Sequence, residues 1–197
     1  MNEILIGLLS IIASYLIGSI PTAYIMARLR KGMDIRGRDS GNVGAAAVVR
    51  QVGIWEGILV GLADIAKGAA AILIARALGL SQWWVMGAGL GALLGHIFPV
   101  YLRFRGGRGS ATIIGIFLIL APVAMLADLV IIAIPVFTSR KFAVSLTIGF
   151  GLLPLLMWAF GSPIILVYYA LVINAFMLLS NLSFIKVAWK KRGEMWR

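Results

Sequence analysis

The residues best suited to chemistry lie in three short polar patches of an otherwise apolar chain. The first patch combines Gly18-Ser19-Ile20-Pro21, Asp34-Ile35-Arg36 and Ser40-Gly41-Asn42-Val43-Gly44. A helix is predicted from Val43 to Val52, which places Ser40 and Asn42 near its N-terminus, where backbone N–H groups and the helix dipole favour an anion. Arg50 would then lie two turns along this helix. The patch predicts a phosphate site; the alternative is an ordinary turn with an N-cap serine and topology-setting arginines.

The second patch runs from Gly95-His96-Ile97-Phe98-Pro99 to Arg105-Gly106-Gly107-Arg108-Gly109-Ser110-Ala111-Thr112. Two glycines between two arginines predict a flexible loop that can wrap a phosphate, and arginine offers phosphate oxygens a bidentate fork. Arg108 is expected to enter the start of the next helix. The spacing is not that of a Walker A loop. The alternative is a basic loop at the membrane surface that contacts lipid headgroups.

His96 is the single histidine of the chain and lies near the end of an apolar span. A histidine side chain can act as a general base, although a lone histidine is more often a packed polar residue. One histidine without a carboxylate cluster cannot build a zinc site, and there are no cysteines. No metal and no cofactor are therefore expected.

The third patch is Asp64 with Lys67, which are three residues apart on one face of an apolar helix. Ionisable residues at membrane depth are costly and indicate a functional role, although these two can also neutralise each other as an intrahelical pair. We assign them a role in supporting the site. Asp128 is a single acid in another apolar segment, and its role is left open.

Composition requires these patches to be positioned by membrane helices. The 197 residues are 61% hydrophobic and 13% charged, whereas a soluble domain carries about 25% charged residues. The net charge of +11 is divided among short basic clusters between apolar spans, which is the positive-inside pattern and argues against nucleic acid as a partner. No polar linker divides the chain, so residues 1–197 are predicted to form a single all-α integral membrane domain.

The apolar segments are predicted at 4–27, 54–79, 83–102, 111–138, 142–160 and 163–185. A hinge near Ala121–Pro122 would make segment 111–138 two short helices and place every basic cluster on the cytoplasmic face. We therefore predict a seven-helix bundle, or six helices if 111–138 crosses once, with the N-terminus outside and the C-terminus cytoplasmic. The site would face the cytoplasm from a multi-pass protein of the cell membrane, in contact with membrane lipid.

The polar patches resemble the motif blocks of the bacterial acyl-phosphate:glycerol-3-phosphate acyltransferases. Gly18-Ser19-Ile20-Pro21, Asp34-Ile35-Arg36 and Ser40 to Ala45 with Arg50 resemble the first block. Asp64-Ile65-Ala66-Lys67-Gly68 resembles the Asp-x-x-Lys-Gly of the next helix, and Gly95 to Pro99 with Arg105 to Thr112 resembles the second block. Order, spacing and span pattern agree along nearly the whole chain.

The resemblance implies seven helices and transfer of a fatty acyl group from acyl-phosphate to the sn-1 hydroxyl of glycerol-3-phosphate, giving lysophosphatidic acid and phosphate. It implies no metal, coenzyme A thioester or acyl-carrier protein, and it favours a mechanism in which a substrate phosphate acts as the base. Catalytic roles are predicted for Ser40, Asn42, His96 and Arg108. Substrate binding is predicted for Ser40, Gly41, Asn42, Val43, Gly44, Arg50, Arg105, Gly106, Gly107 and Arg108, with supporting roles for Asp34, Arg36, Asp64 and Lys67.

The chain departs from the family pattern at three places. Ala46 and Ala47 stand where Thr-Asn is usual, and arginines stand at 105 and 108 where lysines are usual. The segment from Leu179 to Lys186 lacks the Arg-His of the family's last helix. Two alternatives therefore remain open: a relative of the same fold that acylates another acceptor, and a membrane protein that binds or transports phosphate or lipid without chemistry.

Overall fold

The computed structural model describes residues 2–36, 42–139 and 142–194, with side chains described for 2–36, 42–134 and 145–180. Within these ranges the chain forms α-helices and one 3-10 turn, because in lipid each backbone N–H needs a partner inside its own segment. The helices are α1 (Glu3–Ser19), α2 (Thr22–Lys31), α3 (Ala45–Gln51), α4 (Ile54–Ala77), α5 (Gln82–Ile97), α6 (Ser110–Leu120), α7 (Pro122–Ser139), α8 (Phe142–Ala159) and α9 (Ile164–Glu194), with the 3-10 turn at Val100–Leu102.

Three helical stretches of the described chain are long and apolar enough to cross a membrane, and they span Glu3–Lys31, Ile54–Ala77 and Gln82–Leu102. The shorter apolar helices follow in the second half of the chain. The predicted hinge is present, because α6 ends at Leu120 and α7 begins at Pro122. Proline is favoured at a first helical position, where its missing N–H costs no hydrogen bond.

The hydropathy predicted one continuous span over 4–27, but the structure shows a break in it. Pro21 has no N–H to donate, and the helix breaks between Ser19 and Thr22. The Thr22 N–H donates to the Ile20 carbonyl at 3.0 Å, so the Gly18 carbonyl, four residues before Thr22, needs another donor. A break in a membrane helix is tolerated where neighbouring side chains satisfy the freed groups.

Glycines let α1 and α5 pack with their backbones in close approach. A Cβ at Gly91 would lie 2.8 Å from the Ile11 carbonyl oxygen, and one at Gly95 would lie 2.8 Å from the Ser19 backbone nitrogen. Small residues at such crossings bring membrane helices together by van der Waals contact. The order of these contacts shows that the two helices run parallel, so the end of α1 lies beside the end of α5.

Helices α4 and α6 also run parallel and in close contact. Gly68 lies against the backbone of Ile116, and Gly115 lies against the backbone of Ala69. Further along, Arg76 Nη1 donates to the Ile119 carbonyl at 3.1 Å. We call the end of the molecule where α1 and α5 finish and α4 and α6 begin the site side.

Helix α8 packs against α7 and against α9 in the second half of the chain. Pro154 lies inside α8 and leaves the carbonyl of Phe150 without its helical donor. Asn174 of α9 supplies that donor, since its Nδ2 hydrogen-bonds to the Phe150 carbonyl. A side chain from one helix thus repairs the break that proline makes in its neighbour.

Candidate functional site

A small cavity, partly open to its surroundings, lies on the site side at the break between α1 and α2. Its wall is built from segments that are far apart in the sequence. The lining residues are Gly18, Ser19, Ile20, Pro21, Thr22, Val43, Lys67, His96, Pro99, Leu102, Gly106 and Gly107. All three polar patches therefore contribute residues to one cavity.

Asp64 lies at the centre of a buried polar network beside this cavity. Its Oδ1 accepts a hydrogen bond from Lys67 Nζ at 2.7 Å and another from Thr22 Oγ1 at 2.7 Å. Lys67 Nζ also donates to the carbonyl oxygens of Ile20 at 2.8 Å and Gly18 at 3.3 Å. Asp64 is 1% exposed and Lys67 is 7% exposed, so both charges are buried and hydrogen-bonded.

The same network stabilises the broken helix. The last carbonyls of α1 carry partial negative charge and contact the Lys67 ammonium group, while Thr22, the first residue of α2, contacts the Asp64 carboxylate. Each charge is thus placed at the helix end whose dipole favours it. The predicted intrahelical pair is present, and it also bridges α4 to the break that forms the cavity wall.

His96 lies in the last turn of α5 and is oriented between Asp64 and Gly107. Its Nδ1 is 3.6 Å from Asp64 Oδ1, a polar contact that is longer than an ordinary hydrogen bond. A side chain at Gly107 would collide with His96 Nε2 and would also lie 2.9 Å from the Val43 carbonyl oxygen. Glycine is therefore required at this position for the histidine to keep its place.

The Gly106–Gly107 segment is held in place by the backbone, which corrects the prediction of a flexible loop. The Gly106 N–H donates to the Ile97 carbonyl and the Gly107 N–H to the His96 carbonyl, both at 3.1 Å. The Gly106 carbonyl in turn accepts from the Val43 N–H at 3.3 Å. This last bond joins the first and second polar patches directly.

Arg108 and Asn42 are both half-buried on the site side. Arg108 does not enter the next helix, since α6 begins at Ser110 and Gly109, which has a φ of 82°, precedes it in the left-handed region. Glycine adopts such a φ without strain. Asn42 Oδ1 is buried and has no hydrogen-bond partner among the described residues. A buried acceptor without a partner is suited to a ligand that can donate to it.

Neither Arg50 nor Arg105 lines the cavity. Helix α3 begins at Ala45 with Gly44 as N-cap, two residues later than predicted, and Arg50 is exposed in its last turn. Arg105 is also exposed. Ser40, Gly41 and the altered side chains from 181 onward lie outside the described residues, so their predicted roles rest on the sequence.

Asp34 and Arg36 form an exposed ion pair in the segment after α2. The distance between Arg36 Nη2 and Asp34 Oδ2 is 2.7 Å. The hydrogen bond from Arg36 lowers the pKa of Asp34 to about 2. The Arg36 guanidinium also lies 5.1 Å from the centre of the Tyr24 ring, within the range of a cation–π contact. The pair joins the segment that follows α2 to Tyr24 of that helix, and its supporting role stays a prediction.

Thr22 is the functional side chain that the sequence analysis missed. It binds Asp64 and lines the cavity. A signal was available, because a threonine directly after Pro21 inside an apolar span is typical of a new helix start. Pro99 and Leu102 were also missed as lining residues, and their apolar side chains gave no such signal.

The sequence matches the glycerol-3-phosphate acyltransferase family over residues 8–191. It is 45% identical over 151 residues to glycerol-3-phosphate acyltransferase 5 of Dehalococcoides mccartyi, covering 76% of this chain and 64% of that relative. It is 42% identical over 165 residues to the glycerol-3-phosphate acyltransferase of Synechococcus sp. (strain JA-3-3Ab), covering 84% and 81% of the two chains.

The structure is similar to crystal structures of PlsY, an integral membrane glycerol 3-phosphate acyltransferase. The TM-score is 0.85 for the glycerol 3-phosphate form and 0.81 for the lysophosphatidic acid form. Sequence identity is 32% and 30%, and both comparisons cover 94% of this chain and 93% of the solved one.

Proposed function

The chain belongs to the glycerol-3-phosphate acyltransferase family, and we propose that its cavity transfers a fatty acyl group from acyl-phosphate to the sn-1 hydroxyl of glycerol-3-phosphate. It is an integral membrane acyltransferase that produces lysophosphatidic acid. The observation that carries the assignment of the site is the joining of both phosphate-type motifs, through the bond between Val43 and Gly106, at a cavity lined by His96 and Lys67.

Two cationic positions hold the two phosphates of the reaction. The Arg108 guanidinium and the backbone amides around residues 40–43 bind the phosphate of the donor and stabilise the charge that develops on it. We assign Arg50 to the phosphate of glycerol-3-phosphate on its place in the first motif block, although its side chain is exposed at the end of α3 and outside the cavity lining; that contact orients the hydroxyl towards the acyl carbon. Asn42 Oδ1, buried and without a partner among the described residues, accepts a hydrogen bond from substrate.

The step is a direct acyl transfer. The sn-1 hydroxyl oxygen bonds to the acyl carbon, the bond from that carbon to the phosphate oxygen breaks, and the leaving phosphate carries away the hydroxyl proton. The products are lysophosphatidic acid and inorganic phosphate, so atoms and charge balance without a further reactant. His96, held beside the Asp64 carboxylate, keeps its Nδ1 proton towards Asp64 and presents Nε2 as an acceptor that orients the hydroxyl.

The site faces the cytoplasm in this proposal. The basic clusters after α2, around Arg103 to Arg108 and in the C-terminal tail lie on the site side if the seven crossings are as predicted. Positive residues near span ends favour the cytoplasmic face. The N-terminus is then outside and the C-terminus inside.

The test is phosphate release by purified protein in detergent, given palmitoyl-phosphate with and without glycerol-3-phosphate. We expect release that requires glycerol-3-phosphate, falls by at least about 100-fold in Arg108→Ala, and is partly retained in Arg108→Lys. Release that ignores glycerol-3-phosphate but responds to another alcohol would overturn the acceptor. Absence of acyl-phosphate consumption with every acceptor would overturn the assignment of the donor.

A further inference from the structure

The turn from Val100 to Arg105 has two faces with different surroundings. On the inner face, Pro99 and Leu102 line the cavity, and Leu102 is 4% exposed. On the outer face, Tyr101 is 56% exposed and Phe104 is 60% exposed, and the flanking arginines at 103 and 105 are exposed as well. Aromatic and cationic side chains therefore alternate along one outer surface beside the site.

The backbone conformation of this turn places these aromatic and cationic side chains on its outer face. Arg103 and Phe104 both have positive φ, at 54° and 61°, a conformation that is uncommon for residues other than glycine. The N–H groups of Leu102 and Phe104 both donate to the Pro99 carbonyl, at 3.1 and 2.9 Å. These two backbone hydrogen bonds close the turn, and its exposed side chains lie on the outer face.

Arg103 and Arg105 differ from the other basic residues whose side chains the structure describes. Arg30 pairs with Glu56, Lys31 donates to the Gln51 carbonyl, and Arg36 pairs with Asp34. Within the described ranges, the side chains of Arg103 and Arg105 have neither a hydrogen bond nor an ion pair to the protein. Two cations next to two exposed aromatic rings at the end of a membrane-spanning stretch fit an anionic amphiphile.

We propose that the outer face of this turn binds an anionic phospholipid of the leaflet on the site side. Tyr101 and Phe104 lie at the level of the headgroups and upper acyl chains, and the Arg103 guanidinium binds the lipid phosphate. Arg105 is left out of the test because it is also predicted to bind substrate. The proposal rests on the membrane placement of the chain and is independent of the acyl-transfer chemistry.

The experiment measures lipid retention, which does not depend on activity. Purified protein is exchanged into mixed micelles containing equal amounts of phosphatidylglycerol and phosphatidylcholine, and the lipids that it retains are counted by native mass spectrometry. We expect preference for phosphatidylglycerol in the wild type, an approximately fivefold smaller preference in Arg103→Gln, and retention of the preference in Arg103→Lys, because one cation near a membrane surface contributes about that factor. Phe104→Ala reduces the total retained lipid.

Two matched controls come from elsewhere in the chain. Arg30→Gln removes an exposed arginine that is already paired with Glu56, and Phe160→Ala removes an exposed aromatic ring beside Gly161, where the neighbouring residues carry no charge. Both are expected to keep the wild-type preference. Arg103→Gly also removes the charge and relieves the positive φ, so loss of preference in that variant cannot be attributed to misfolding.

Three results would overturn the proposal. The first is equal retention of both lipids by the wild type. The second is an equal loss of preference in Arg30→Gln and Arg103→Gln, which would indicate a general charge effect. The third is complete loss of the wild-type preference on addition of inorganic phosphate alone, which would make the turn a site for a soluble anion.

Discussion

Asp64 and Asp128 are two buried acids in membrane helices, and their surroundings differ completely. Asp64 is 1% exposed and is bound by Thr22 from α2 and Lys67 from its own helix, with His96 of α5 nearby. Asp128 in α7 is 0% exposed, and neither of its carboxyl oxygens has a hydrogen-bond partner among the described residues. Burial of an acid is therefore not what identifies the site.

What distinguishes the two regions is how polar groups are shared between elements. Around Asp64, polar contacts join four helices, α1, α2, α4 and α5, and the Gly106–Gly107 segment is bonded to the end of α5. In α8, the bond from Asn174 of α9 to the carbonyl that Pro154 frees is a local repair. The first arrangement links several helices beside the cavity, and the second preserves one helix.

The largest effect is expected from Lys67→Met. This change leaves the Asp64 carboxylate buried without its cation and removes the donor to the Gly18 and Ile20 carbonyls. Breaking a buried pair in this way costs about 3 kcal/mol, so both the free energy of unfolding, measured by SDS titration, and activity should fall. The double variant Asp64→Asn/Lys67→Met removes both charges and should recover part of the stability. Wild-type stability in Lys67→Met would show that the break does not depend on this network.

Gly107→Ala tests the position of His96, although the added methyl group also lies 2.9 Å from the Val43 carbonyl oxygen. The added methyl group would collide with His96 Nε2, and a displacement of about 1 Å at a reacting group can lower the rate by about 100-fold. We expect that loss in phosphate release. The matched control is Gly151→Ala in α8, where a Cβ meets no atom within 4 Å, and it should keep full activity. Equal activity of the two variants would remove His96 from the site.

Asn174→Leu should affect stability alone. The change leaves the Phe150 carbonyl without a donor, because Pro154 cannot supply one, and it should lower the free energy of unfolding by about 1 kcal/mol. Activity at a permissive temperature should stay within about twofold, since no chemistry is assigned to this region. In a Pro154→Ala background residue 154 regains its N–H, so the same substitution should cost little. An undiminished cost in that background would contradict the repair.

The smallest effect concerns the exposed Asp34–Arg36 pair. Because Arg36 lowers the pKa of Asp34 from 3.8 to about 2, the stabilisation is present above the ordinary pKa and is lost only as the pH falls towards 2. The difference in Tm between the wild type and Asp34→Asn should therefore be small and constant from pH 5 to pH 9. A difference that changes with pH in this window would show that another titrating group is coupled to the pair.

The sequence predicted the helical class and the hinge before Pro122, and it singled out the three polar patches that the structure brings to one cavity. These features depend on local signals, namely apolar runs, a proline and the order of motifs. The break at Pro21 had a local signal too, but hydropathy averaged over the span concealed it. The contacts of Thr22 and His96 with Asp64, and the fixed position of Gly106–Gly107, depend on how α1, α4 and α5 pack, and no spacing within the sequence encodes them.

The most direct test of this account compares Asp64→Asn with Asp128→Asn in one assay of glycerol-3-phosphate-dependent phosphate release, alongside the Tm of each variant. Both changes replace a buried carboxyl by an amide of the same shape. We expect Asp64→Asn to lower kcat by at least about 100-fold and Asp128→Asn to remain within about threefold of the wild type. Similar losses in both variants, or full activity in Asp64→Asn, would contradict the claim that the network around Asp64 positions the site.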